Sequence, residues 1–183
     1  MSLRRSGAGL GAHAMASSKS HLPDCGLYLT TKPLPGNEDK VPAGTIVSFH
    51  NHSDNGLPTV TTPDHNVHNR WHFHGPAVAF RGTTWADSLQ RLPAEGFYTL
   101  RKELAFDGGN WPKGTLVQLG YTQAGMPILF IARVRSRLQE NDLFFSDKGV
   151  GIKREQLSLL EPVSVFEEPS DGSGHQPDHA DAH

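Results

Sequence analysis

Along the chain, apolar side chains recur at every second position in short runs. Val47 and Phe49 alternate with Ser48 and His50, Trp71 and Phe73 with His72 and His74, and Val117, Leu119 and Tyr121 with Gln118 and Gly120. A period of two sends successive side chains to opposite faces of an extended chain, so these runs predict half-buried β-strands. Pro42-Ala43-Gly44 and Pro112-Lys113-Gly114 supply a fixed φ and a permissive glycine for a tight turn ahead of a strand. Asn55-Gly56 and Ala124-Gly125 read as hairpin closures. The pattern predicts strands over 27–31, 45–50, 59–62, 71–74 and 78–81, and a longer one from Ile128 to Ser136. Only Thr84 to Arg91 has room for a helix, and Arg154 to Leu160 reads equally as one turn and a strand. The predicted class is all-β.

The chain also resembles itself. From Gly26 to Val47, an offset of 70 brings eight identities into register: Gly26, Tyr28, Lys32, Leu34, Pro42, Gly44, Thr45 and Val47. With small slips, Gly56-Leu57-Pro58 then matches Gly125-Met126-Pro127, and Asn69-Arg70-Trp71-His72-Phe73 matches Asn141-Asp142-Leu143-Phe144-Phe145. Val78 to Arg81 likewise matches Val150 to Lys153. This predicts a duplicated unit of about seventy residues, near the lower size at which a domain folds alone. The expected division is 1–25 as a disordered lead, 26–95 as a first repeat, 96–166 as a second, and 167–183 as a disordered tail. Five short strands per unit, bent by Gly and Pro, would close economically into a small barrel. The layout resembles tandem SH3-like barrels packed together, a resemblance of architecture alone.

Composition narrows the function classes. The 183 residues carry 17 Lys and Arg against 19 Asp and Glu, a net charge of −2, which does not suggest a polyanion-coating protein. No apolar run approaches the ~18 residues of a membrane-spanning helix. The single cysteine, Cys25, cannot form an intrachain disulfide, so a reducing, cytoplasmic setting is expected. The first residues lack the apolar centre of a secretion signal, and Met15 stands as a second candidate start, because the Ala-Ser-Ser-Lys-Ser after it reads as a polar lead-in to the first strand. The tail carries Glu167, Glu168, Asp171, Asp178 and Asp181 with no Lys or Arg, and reads as an acidic, solubilising segment.

Two clusters carry candidate chemistry. Six of the eleven histidines fall between His50 and His74. The strand pairs His50/His52 and His72/His74 each place two imidazoles on one face, so His50, His52, His72 and His74 are candidate ligands for zinc or another transition metal. Against that, a meander would hold the two pairs about 10 Å apart, two strand spacings. In the second repeat, Arg133, Arg135 and Arg137 alternate along one strand, a candidate strip for nucleic acid or an acidic protein surface. Nine basic against seven acidic residues between 96 and 166 is a slight surplus for tracking phosphates. Trp85 and Trp111, not matched as a pair between repeats, are candidate partner contacts. No Gly-x-Ser-x-Gly, phosphate-binding glycine loop or His-Glu-x-x-His is present, so no catalytic residue or resident cofactor is assigned. The expectation is a non-enzymatic module that binds another protein. Metal binding, including a metalloenzyme, and nucleic-acid binding are the alternatives.

Overall fold

The computed structural model describes residues 22–52, 56–137 and 140–163. The predicted lead before Leu22 and the predicted acidic tail lie outside them. Strands β1 (Gly26–Thr30), β2 (Ile46–His50) and β3 (Thr59–Thr61) come first. They are followed by β4 (His65–Val67), β5 (Arg70–His72), β6 (Val78–Ala79) and β7 (Leu89–Arg91). The second half carries β8 (Gly96–Leu100), β9 (Leu104–Phe106), β10 (Gly109–Trp111) and β11 (Leu116–Tyr121). It ends with β12 (Pro127–Arg137), β13 (Glu140–Phe145), β14 (Val150–Gly151) and β15 (Leu160–Pro162). The only helix among the described residues is two 3-10 turns, Ala86–Ser88 and Arg154–Leu159. The protein is all-β.

The chain divides into two compact units. The first takes the described residues up to Pro63 together with Phe73–Leu92, and the second takes Asp64–His72 with the described residues from Pro93 onward. In the first unit the sheet runs β6-β3-β2-β1-β7, and in the second β13-β12-β11-β8-β15 with β14 also paired to β12. Neighbouring strands in both are antiparallel. Three hydrogen bonds inside the first unit recur inside the second at an offset of 70. The Gly44 N–H donates to Thr30 O and the Gly114 N–H to Leu100 O, both at 2.8 Å. Thr30 N–H donates to Thr45 O and Leu100 N–H to Thr115 O, while Tyr28 and Tyr98 hydroxyls reach the carbonyls four residues upstream at 2.7 Å. Gly44 and Gly114 have φ of +73° and +82°, which is why glycine stands at each turn.

In the first unit, the period-two pattern buries Tyr28, Val47, Phe49 and Val60 with Leu34, Val41, Phe80 and Trp85 in one cluster. In the second, Tyr98, Val117, Leu119, Leu129 and Tyr121 are buried. Three differences from the sequence expectations matter. The expected barrels do not close among the described residues: each sheet path ends on separate strands, and the last strands of the first sheet are only two and three residues long. The expected strand 71–74 is shorter, is not in the first unit's sheet, and pairs only with β4 in a hairpin that groups with the second unit. The segment with room for a helix makes one 3-10 turn and then strand β7, because Leu89 to Arg91 complete the edge of β1.

Candidate functional site

The β4–β5 hairpin belongs to the second unit and is placed by a few residues. Its two-residue turn is His68-Asn69, at φ +50° and +65°, the positive pair that a type I′ turn demands. Register sets His65 opposite His72, Asn66 opposite Trp71 and Val67 opposite Arg70. Trp71 turns its indole to the sheet, where Nε1–H donates to Tyr121 O at 2.7 Å. Gln118, buried in the middle of β11, clamps the turn with both ends of its amide. Its Nε2–H donates to His68 O at 2.7 Å, and its Oε1 accepts from Asn69 Nδ2 at 3.1 Å. Gly120 leaves the room: a Cβ there would stand 2.6 Å from Asn69 O.

Glu95 completes the seat. Its Oε2 accepts the Trp71 backbone N–H at 2.9 Å, while Oε1 is buried and reaches no hydrogen-bond partner among the described residues. Burial pushes the carboxyl pKa above its ordinary value, and the Trp71 and Tyr121 backbone N–H groups and the Arg70 charge oppose that shift. Burial also raises the Tyr121 phenol, whose hydroxyl donates to Pro93 O at 3.0 Å.

Beside the hairpin, the same face of the sheet is apolar and open. Phe97 stacks on Phe145 with ring centroids 5.1 Å apart and planes 12° from parallel. These rings belong to strands three places apart in the sheet, about 14 Å if it were flat, so the β12–β13 hairpin curls over this face. Phe97 is 41% exposed, Leu143 57% and Val134 66%, values that leave large apolar side chains in solvent. A hollow of about 200 Å³ lined only by Phe97, Leu116, Leu143, Phe145 and Val163 opens there. A larger groove of about 570 Å³ runs from the hairpin turn, at Asn66, His68 and Asn69, across Phe97 to Phe145 and Asp147. Asp147 is its only Asp, Glu, Lys or Arg lining residue. Strand β13 forms the edge of the six-stranded sheet.

The residues singled out in the sequence fall in different places. His50 is exposed at the end of β2 opposite Thr59, and His52 is exposed and hydrogen-bonded to Asn51 Oδ1. Neither joins the histidines further on. Within the second unit His65 and His72 face each other across the β4–β5 hairpin, their rings stacked with 4.7 Å between centroids. Trp85 is a core side chain, edge-on to Phe80, with Nε1–H donating to Lys32 O. Trp111 is half-buried, paired with Leu104 across the β9–β10 hairpin, with its ring against that of Phe106. Arg133 is exposed on β12. Arg135 and Arg137 lie further along the same strand, and their side chains fall outside the described residues. Cys25 is half-buried, its thiol hydrogen-bonded to Asn51 Oδ1.

Sequence reasoning passed over His65, left in a loop, and the surface formed by Phe97, Leu143 and Phe145. Asn69 two residues before an apolar-polar alternation was a readable hairpin signal. Nothing in a period-two pattern tells a face covered by the fold from one left open. No protein-family model, curated protein or solved structure matches the chain, so its chemistry is argued from its own residues.

Proposed function

We propose that the protein is a non-enzymatic binding module whose second unit captures an extended segment of a partner protein. One observation carries the reading: an edge strand and an apolar groove share β13. Leu143 and Phe145 line the hollow, and among the described residues the same strand stands last in the order of its sheet. An extended segment laid along β13 would add a strand to the sheet and drop alternate side chains beside Phe97. The groove's charge selects the partner further. Asp147 is accompanied by no Lys or Arg in the lining, which favours a segment carrying a basic residue and opposes phosphate. The two units are, on this reading, copies of one small antiparallel sheet: they have the same strand order and hydrogen bonds at a fixed offset. The second copy keeps the binding face.

Selection of peptides from a random display library on the full chain tests this. Enriched peptides should alternate apolar or aromatic residues with polar ones and include Lys or Arg. Leu143→Asp and Phe97→Ala should each weaken them by tenfold or more, about 1.4 kcal/mol or above. Enrichment of no peptide, or affinities unmoved by both substitutions, would overturn the proposal. So would self-association through this face, read by sedimentation and abolished by Leu143→Asp.

A further inference from the structure

Apart from the β13 face, we infer that the first unit carries a binding groove of its own, along β6, for a partner segment rich in Asp and Glu. Two hollows of about 280 Å³ and 450 Å³ meet there, because Asn37 and Ala79 line both. Every lining residue belongs to the first unit. The loop ahead of β2 builds one wall. Asn37 N–H donates to Leu34 O at 2.9 Å, and Asn37 O accepts the backbone N–H groups of Lys40 and Val41, which closes a tight turn carrying Asn37 and Lys40. Strand β6 and the residues after it build the other. Phe80 is buried, its N–H donating to Pro58 O at 3.2 Å, and Ala79 and Arg81 on either side of it are exposed.

Charge selects the occupant. Lys40 and Arg81 line the groove, and no Asp or Glu does. Neither cation enters an ion pair among the described residues. The neighbouring Glu38 and Asp39 are not in the lining, and Glu38 turns its Oε1 to the Gly36 N–H at 2.8 Å. Pro35, Pro76, Ala77 and Val78 supply apolar wall, so an extended segment that alternates acidic and apolar side chains matches both parts of the lining. Among the described residues β6 stands last in the order of its sheet, the place where such a segment adds a strand. Two cations are too few to track a nucleic-acid backbone, which is held by many phosphate contacts.

The second unit repeats the groove with its charge altered. A hollow of about 790 Å³ is lined by Asp107, Gly151 and Lys153, the counterparts of Asn37, Ala79 and Arg81. Ile152 N–H donates to Pro127 O at 3.1 Å, as Phe80 N–H does to Pro58 O. The cation recurs, but Asp107 and Glu155 now stand in the lining with it. Preference for an acidic segment therefore belongs to the first unit.

Anisotropy of a fluorescent peptide of alternating Glu and Val, titrated with the full chain, tests the groove. Binding should weaken as salt is raised and fall about tenfold or more in Arg81→Glu. Arg81→Lys, which keeps the charge, should stay within about threefold of the parent. Lys153→Glu and Leu143→Asp should each leave binding within about twofold, which separates this groove from its counterpart and from the β13 face. Arg81 is exposed, and thermal melts check that each variant folds. Absence of binding, affinity unmoved by Arg81→Glu, or binding lost in Leu143→Asp would overturn the assignment. So would displacement of the peptide by inorganic phosphate or single-stranded DNA at lower concentrations than by unlabelled peptide, which would give the groove to phosphate.

Discussion

Gly120→Ala separates hairpin docking from ordinary strand behaviour by the sign of its effect. Gly120 lies inside β11 with no left-handed φ. On an unobstructed strand, alanine would stabilise by ~0.4–1 kcal/mol through the unfolded chain. Here the new Cβ would stand 2.6 Å from the Asn69 carbonyl oxygen and 3.4 Å from the Phe130 ring. The ring can yield; the carbonyl belongs to a turn held through His68 O and Asn69 Nδ2 by the Gln118 amide. Relief thus requires the hairpin to lift, at the expense of contacts worth ~0.5–1.5 kcal/mol each. Destabilisation of about 1–3 kcal/mol is expected, the range for overpacking a close contact. Urea melts give that figure, and amide exchange of residues 65–72 should accelerate before the core strands respond. In a Gln118→Ala background, where the turn is already released, the penalty should shrink, giving a coupling above 0.5 kcal/mol. A stabilised Gly120→Ala with unchanged exchange at Trp71 would refute the docking geometry.

Glu95→Gln should alter how stability varies with pH. Because the folded carboxyl pKa is raised, its ionised form is a cost to the folded state above that pKa, and the cost disappears as pH falls through it toward the ordinary carboxylate range. The parent chain should therefore gain stability relative to Glu95→Gln on acidification across that window. Parallel stability curves in urea at several pH values would contradict this. Trp85→Ala should cost about 3–5 kcal/mol, because it empties a core position against Phe80 and removes the bond to Lys32 O. A melt within 1 kcal/mol of the parent would place that indole outside the core.

The sheets were legible because their information is local. Alternation at Val47 and Phe49 fixes a face, and Pro42-x-Gly44 fixes the turn ahead of it, whatever the rest of the chain does. The Arg154 to Leu160 segment was readable for the same reason, and it forms one 3-10 turn followed by β15. Closure into a barrel was not legible. It depends on whether end strands meet, and two residues at Val78–Ala79 do not declare that. The site was less legible still. His72 was legible as a strand residue, but its neighbour across the hairpin, His65, is decided by strand pairing. Trp85 shows the converse, since an unmatched aromatic looks like a contact residue until its neighbours are known. Exposure of Phe97 follows from where β13 curls, a property of no single segment.

The placement of β4–β5 ties these results together. On the proposed correspondence between units, each makes an excursion between its third strand and the short strand paired to it. In the second unit the excursion is continuous, β12 running on into β13. In the first unit Pro63 stands two residues past the end of β3, and a proline cannot donate to a ladder. The excursion therefore leaves the sheet and forms its own hairpin, whose Trp71, His68 and Asn69 find partners on β11. The receiving positions differ between units in the way this requires. Gln118 and Gly120 clamp and clear the turn, whereas the positions 70 residues earlier carry Ser48, too short to clamp, and His50, whose Cβ would leave no such clearance. One divergence thus accounts for two features: His72 stands on a hairpin of its own and not in the sheet that holds His50, and the second unit has acquired the wall of its groove.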